Sequence, residues 1–348
     1  MYPDIPQHGG DVRSASERFQ IPVNQWLDLS TGINPHHYPI PDIPSSLFHD
    51  LPGVYSERLM DAGRSYYGCQ SLLAAAGSQR FIELLPGLRE RAKVLVPDVG
   101  YREHAYHWQR AGHHVVSYNG FEPEQITALL QEPNVKVVVL INPCNPTAAR
   151  VSPETLHLWR QSLAERGGWL IIDEAFMDLT PEYSFAGFSH LPGVIVLRSL
   201  GKFFGLAGLR VGFALAADAI LDPLSRVLGP WGISGPSQYV ALQALSDTNW
   251  QRANREQLLL QSQWLEAMLR DELGKDLDAL FNSGLFVSVQ LASELAGRLY
   301  NAMAERGILL RHWRLPLIGS TLIRLGLVGE SMQQRRLVKA LRASVAAA

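Results

Sequence analysis

Six short runs rich in β-branched residues constrain this chain more than any other feature. Segments 93–96, 114–117, 135–141, 169–172, 194–197 and 211–215 are apolar with little polar alternation, which suits strands covered on both faces. Helical patterns separate them. Ser152-Pro153-Glu154 reads as an N-cap followed by proline in the first turn, and Gly167-Gly168 reads as the stop of that helix. Such alternation predicts an α/β fold on a mainly parallel sheet, with ligands beyond the carboxyl ends of the strands.

From about Ala217 the pattern changes. A Gly/Pro-rich connection over 228–236 leads to long amphipathic helices, the main one over 250–273. Then follow an apolar run over 285–291, a helix ending near Arg306, short strands over 308–311 and 321–325, and a last helix. At 348 residues the chain is long enough for two domains. The expected division is a large α/β domain over 45–225 and a smaller α+β domain from 1–44 and 226–348.

Charge excludes some roles. A net charge of -2 gives no basic surface for nucleic acid or anionic lipid. The first eight residues have neither a basic stretch nor an apolar core, and no apolar run approaches a membrane span, so neither a secretory leader nor a membrane partner is expected. Cys69 and Cys144 make no disulfide framework or zinc site, and read as reduced thiols of a cytoplasmic protein.

The chemistry concentrates in Ser199-Leu-Gly-Lys-Phe-Phe-Gly-Leu-Ala-Gly-Leu-Arg210. Lysine is scarce, five among 31 basic residues, yet Lys202 stands among glycines and apolar residues just after a strand. A nucleophilic lysine needs desolvation or a cationic neighbour to lower its pKa. A bound phosphate needs a fixed guanidinium and closely approaching backbone, which Arg210, Ser199 and the glycines offer.

Four further elements fall beside predicted strand ends. Asp173 closes the strand over 169–172, where a carboxylate can hold a protonated ring nitrogen. Asn145 sits in Asn142-Pro-Cys-Asn-Pro-Thr147, a loop stiffened by two prolines. Ala76-Gly77-Ser78-Gln79 opens a helix whose amides can meet an anion. Tyr101 can stack on a planar ring, or serve the core.

On these motifs the chain resembles the fold-type I pyridoxal 5'-phosphate (PLP) enzymes over nearly its whole length. The branch it resembles holds histidinol-phosphate aminotransferase and the threonine-phosphate decarboxylases of cobalamin biosynthesis. The resemblance implies Lys202 as Schiff-base lysine, and Ser199, Arg210, Ser78 and Gln79 as phosphate contacts. Asp173 becomes the ring-nitrogen partner, Asn145 the ring-hydroxyl contact and Tyr101 the stacking aromatic. It also implies a homodimer. Three positions depart from the pattern: Gly201 replaces a hydroxyl residue before the lysine, Phe176 replaces a tyrosine, and Asp50-Leu-Pro52 replaces an Arg-Tyr-Pro segment.

The upstream segments choose the reaction. His8-Gly9-Gly10 with Leu27-Asp-Leu-Ser-Thr-Gly-Ile-Asn-Pro35 resembles the decarboxylases, and so does Gly201-Lys202. The resemblance places His8, Gly9 and Asn34 near the phosphate of a small phosphorylated amino acid, with Arg324, and less strongly Arg311, as anion ligands. It implies decarboxylation of L-threonine O-3-phosphate to (R)-1-aminopropan-2-ol O-2-phosphate. The alternatives are histidinol-phosphate or related amino transfer, and a non-catalytic binding module.

Overall fold

The computed structural model describes residues 5–53, 55–315 and 319–346. Residues 1–4 and 347–348, which the sequence assigns to the expected small domain, lie outside this range. Packing divides the chain into two units, one built from His37–Gln251 with residues 5 and 6, the other from Gln7–His36 and the chain from Arg252 onward.

After α1 (Val12–Phe19) and the two-residue β1 (Leu27–Asp28), the chain enters the first unit through α2 (Ser56–Tyr67). One sheet follows, from β2 (Leu72–Ala75), β3 (Lys93–Pro97), β4 (His114–Tyr118), β5 (Val135–Ile141), β6 (Trp169–Asp173), β7 (Val194–Ser199) and β8 (Gly212–Ala216). Its order is β2-β8-β7-β6-β5-β3-β4. Only β8 runs antiparallel to its neighbours, so the sheet is mainly parallel as its buried apolar runs predict. Strands β5 to β8 lie in chain order, and the order skips from β5 to β3 on one side and from β8 to β2 on the other. The strands β5, β6 and β7 therefore end side by side.

Helices cover both faces. Val137, Val139, Ile171, Ile195 and Leu197 pack on Phe81 and Ile82 of α3 (Ser78–Leu84), Trp108 of α4 (Glu103–Arg110) and Leu224 of α7 (Asp218–Leu228). Between β4 and β5 lies the short α5 (Gln125–Leu129). The crossover α6 (Pro153–Ala164) starts as its sequence predicts: the Ser152 hydroxyl accepts the Thr155 N–H at 3.3 Å, and Gly167 stops the chain with φ +63. The large unit reaches past the expected 45–225 on both sides. Helix α7 packs on β2 and β8, α8 (Gly235–Ser246) packs on α2, and the Tyr38 N–H donates to the Phe204 carbonyl at 2.8 Å.

The boundary falls inside α9 (Thr248–Leu273). Beyond it, β9 (Ala279–Asn282), β10 (Phe286–Ala292), β12 (Arg311–Leu315) and β13 (Ser320–Gly326) form an antiparallel sheet in the order β12-β13-β10-β9. The strand β11 (Ile308–Leu309) pairs in parallel with β1. One sheet face carries Val287, Val289, Ile323 and Leu325 and is apolar; α10 (Ser293–Ala304) packs on it and α11 (Ser331–Ala346) packs on α10. The other carries Phe286, Ser288, Arg311, Trp313 and Arg324.

One buried ion network lies under the strand ends of the first unit. Arg198, the penultimate residue of β7, donates to Glu174 Oε2 at 2.7 Å and to Asp178 Oδ1 at 2.6 Å. All three are buried. The Glu174 carboxylate also accepts from the Ser184 hydroxyl and the Phe185 N–H, yet burial pushes its pKa above the ordinary value. Replacing Arg198 strands two buried carboxylates. Arg198→Met is therefore expected to destabilise the fold by about 3–5 kcal/mol, the scale for losing one partner of a buried pair. Urea unfolding measures this, and an unchanged midpoint would disprove it.

Candidate active site

The ends of β5, β6 and β7 deliver the predicted residues to one place. Asp173 is the last residue of β6 and Ser199 the last of β7. The Asn142 N–H donates to the Asp173 carbonyl at 2.9 Å, so the 142–147 loop leaves the sheet beside that carboxylate. The loop is stitched to itself: the Asn142 side chain bonds the Val151 backbone at both atoms, and the Thr147 hydroxyl donates to the Gly120 carbonyl. A cavity of about 160 Å³ forms there. Ser78, Gln79, Tyr101, Asn145, Asp173, Ser199, Lys202 and Arg210, the eight candidates for cofactor contact, all line it.

Small residues keep one wall open. Gly77 has φ +83, and a Cβ there would stand 2.6 Å from the Arg210 guanidinium. A Cβ at Gly212 would stand 2.2 Å from the Ser78 nitrogen. These glycines let the start of α3 and the arginine meet without side chains between them. Ser78 and Gln79 open that helix, where backbone N–H groups have no carbonyl one turn earlier. Arg210 itself is held at φ +53, a left-handed conformation costing about 1–3 kcal/mol, between β7 and β8. Gly201, a departure noted in the sequence, also has a packing reason: a Cβ would stand 3.3 Å from both the Ala207 Cα and the Ser199 Oγ.

The opposite wall is a chain of hydrogen bonds. His104 Nε2 donates to Asp173 Oδ2 at 3.0 Å, and the Ala175 N–H donates to Oδ1 at 3.1 Å. The Tyr101 hydroxyl donates to Gln79 Oε1 at 2.9 Å, and Gln79 Nε2 donates to Glu103 Oε2 at 2.8 Å. His107 Nε2 donates to the same Glu103 oxygen at 3.0 Å. Burial raises the Tyr101 pKa, helped by Glu103 and Asp173, so the phenol stays protonated and its ring is fixed. The Lys202 Nζ lies 5.3 Å from the centroid of Phe176, so the residue replacing a tyrosine presents a π face to the lysine. His104, Glu103 and His107 are functional neighbours that sequence reasoning missed. They follow Tyr101 on one short helix, but isolated histidines at a helix start carry no distinguishing pattern.

The second unit gathers the other candidates. The Gly10 N–H donates to the Ser30 hydroxyl at 2.7 Å, and Gly9 packs so closely that a Cβ would stand 2.4 Å from the Ser30 carbonyl. Arg324 Nη2 donates to that same carbonyl, while Arg311 Nη2 donates to the Gln7 carbonyl at 2.5 Å. The upstream segments and both arginines therefore meet. His8 is exposed beside them. Burial, then Arg311, push the Arg324 pKa down to about 9. Asn34 is nearby in sequence but its carboxamide shapes a turn: Nδ2 donates to the His36 carbonyl and to Asn254 Oδ1, and Oδ1 accepts the His36 N–H at 2.7 Å.

Comparison with known proteins agrees with this arrangement. The profile described as "Aminotransferase class I and II" matches residues 58–341. A threonine-phosphate decarboxylase of Pseudomonas aeruginosa is 42% identical over 96% of this chain and 97% of its own. One from a Sinorhizobium species is 34% identical, again over 96% of this chain and 97% of its own. Among solved structures, the histidinol-phosphate aminotransferase of Sinorhizobium meliloti in complex with pyridoxal-5'-phosphate superposes with a TM-score of 0.80 at 21% identity, covering 99% of this chain and 96% of that one. With a family profile spanning most of the sequence, this chain belongs to the class I and II aminotransferase family.

Proposed function

We propose that the chain is a PLP-dependent decarboxylase converting L-threonine O-3-phosphate to (R)-1-aminopropan-2-ol O-2-phosphate. The observation that carries this reading is the full-length, 42% identity to a threonine-phosphate decarboxylase. The meeting of His8–Gly10 with Ser30 and the two arginines, the segments that separate decarboxylase from aminotransferase, supports it. Histidinol-phosphate amino transfer remains the competing reading, carried by more distant relatives.

The cavity of the first unit fits the cofactor. A cationic Arg210, the hydroxyls of Ser78 and Ser199 and the α3 amides form an anion cradle that a Cβ at Gly77 would fill. Lys202 would hold the cofactor through its amine, with Tyr101 along the ring and Asn145 at the ring oxygen. When bound, PLP supplies an electron sink for the pair left behind as the Cα carboxylate departs as CO2. Asp173 would accept a hydrogen bond from the ring nitrogen, and His104 with the Ala175 amide keeps its carboxylate from turning away. The Lys202 amine would return one proton to Cα, which balances the loss of CO2. Arg324, with Arg311, would grip the substrate's anionic groups, because the grip decides which Cα bond is aligned for cleavage.

A homodimer and a cytoplasmic setting belong to the same proposal. Phe48, Leu51 and Trp231 are each at least 60% exposed on the first unit, the kind of apolar surface a partner covers. Both cysteines are buried and free, and among the described residues no helix is long and apolar enough to cross a membrane.

Carboxyl-labelled L-threonine O-3-phosphate is expected to release labelled CO2; turnover dependent on 2-oxoglutarate without release would establish the aminotransferase instead. Lys202→Ala is expected to lose the visible absorbance of lysine-bound cofactor and at least about 100-fold in turnover. An unchanged spectrum would remove Lys202 from its role. Burial holds the Arg324 guanidinium below its ordinary pKa, yet an arginine keeps its proton across the range in which proteins stay folded. Arg324→Gln is therefore expected to weaken inorganic phosphate at every pH from about 6 to 9, and parent-like affinity in that variant would contradict this. Sedimentation velocity is expected to show twice the 38.6 kDa chain mass, and Leu51→Glu to shift it toward monomer.

A further inference from the structure

The Gln79 carboxamide is bonded at both ends. Its Oε1 accepts the Tyr101 hydroxyl at 2.9 Å, and its Nε2 donates to Glu103 Oε2 at 2.8 Å. Gln79 is the second residue of α3, Tyr101 stands just before α4, and Glu103 is the first residue of α4. One side chain therefore joins the starts of two helices beside the cavity that Gln79 and Tyr101 line. Glu103 is buried, and His107 Nε2, one turn along α4, donates to the same carboxylate oxygen at 3.0 Å.

An amide turned by half a rotation keeps its shape and exchanges its ends. A carboxylate accepts hydrogen bonds and has no proton to give, so the nitrogen end must meet Glu103. The oxygen end then faces Tyr101, and the phenol must donate to it. One carboxylate thus sets the direction of each bond in the chain. It also makes Gln79 Nε2 a poor phosphate ligand, because an anion there would lie beside the Glu103 charge. At its ring, Tyr101 is braced by His104: the two rings meet edge-on with centroids 6.3 Å apart at 81°, and His104 is itself tied to Asp173.

We propose that the Gln79 side chain is a positioning residue rather than a phosphate ligand, fixing the angle of the Tyr101 ring against the cofactor while Glu103 sets which end of the amide the phenol meets. The proposal rests on the cofactor site of the first unit and on neither reaction. Phosphate is left to Arg210 and the hydroxyls of Ser78 and Ser199. A ring held in place before the cofactor arrives has little freedom to lose on stacking, and that is the gain in affinity.

A double-mutant cycle tests this, read as the affinity for PLP titrated into the full chain freed of cofactor. Gln79→Met removes both bonds and keeps the length of the side chain; Tyr101→Phe removes the hydroxyl and keeps the ring. Each is expected to weaken PLP about fivefold, the worth of one hydrogen bond. Both break the same bond, so the double variant is also expected to lose about fivefold. A phosphate ligand would act independently of the phenol, and an additive loss of about 25-fold in the double variant would overturn the proposal. Parent-like affinity in Gln79→Met would do the same. The visible circular dichroism of the bound cofactor is expected to fall alike in all three variants, and a parent-like signal in Gln79→Met would also count as refutation. Should Gln79→Met fail to fold, Gln79→Asn, one methylene too short to reach both partners, enters the same cycle. A parent that takes up no PLP would overturn the cofactor site and this proposal together, whereas uptake with additive losses would overturn this proposal alone.

Discussion

The site of the first unit depends on how Arg198 is buried. Arg198 precedes Ser199 on β7, and Glu174 follows Asp173 on β6. The ion pair between them therefore ties two strand ends together one residue beneath the two groups that face the cavity. Backbone bonds set the register, through Asp173 opposite Leu197 and the Glu174 N–H on the Leu197 carbonyl. Asp178 extends the clamp to the segment after Phe176, and the Tyr66 hydroxyl donates to the same Asp178 oxygen from α2. A loop that leaves a strand over such a network has little freedom, which is what a carboxylate aimed at one ring atom requires.

The chain buries arginine in two ways. Arg198 touches two carboxylates, and their charges raise its pKa against the desolvation that would lower it. Its charge is spent inside the fold. Arg324 is as deeply buried, but rings and a backbone carbonyl surround it, and its pKa falls instead. Burial alone would not tell these arginines apart; the chemistry of their neighbours does.

Much of this was legible from residue order. The β-branched runs predicted every strand of the large sheet except β2, whose Leu-Leu-Ala-Ala composition carries no strand signal. All eight expected cavity residues line one cavity, because each stood next to a strand end and parallel strands align their ends. What stayed hidden depends on contacts far apart in sequence. His104 meets Asp173 across 69 residues, and nothing around either announces the pairing. The extent of the first unit is not legible in sequence because α8 looks like the helices after it; packing against α2 joins it to the large sheet. Strand β12 was invisible for a related reason. Arg-His-Trp-Arg is polar on both faces, and its edge position asks for no apolar alternation.

That same strand carries Arg311, one of the residues proposed to contact the substrate. The cavity residues around Lys202 are proposed to hold a cofactor that both readings need, so they cannot separate loss of CO2 from transfer of an amine. Separation requires groups that orient the substrate, and the residues proposed for that lie on the least predictable elements: an exposed histidine before two glycines and an edge strand carrying Arg311. Gly9 is the physical link among them, since only a residue without a Cβ lets the N-terminal segment lie against Ser30, whose carbonyl also anchors Arg324. A larger residue at Gly9 would move the segment and the arginine's anchor together. The histidine-diglycine start is thus tied by geometry to Arg324 and Arg311, the residues proposed to grip the substrate's anionic groups.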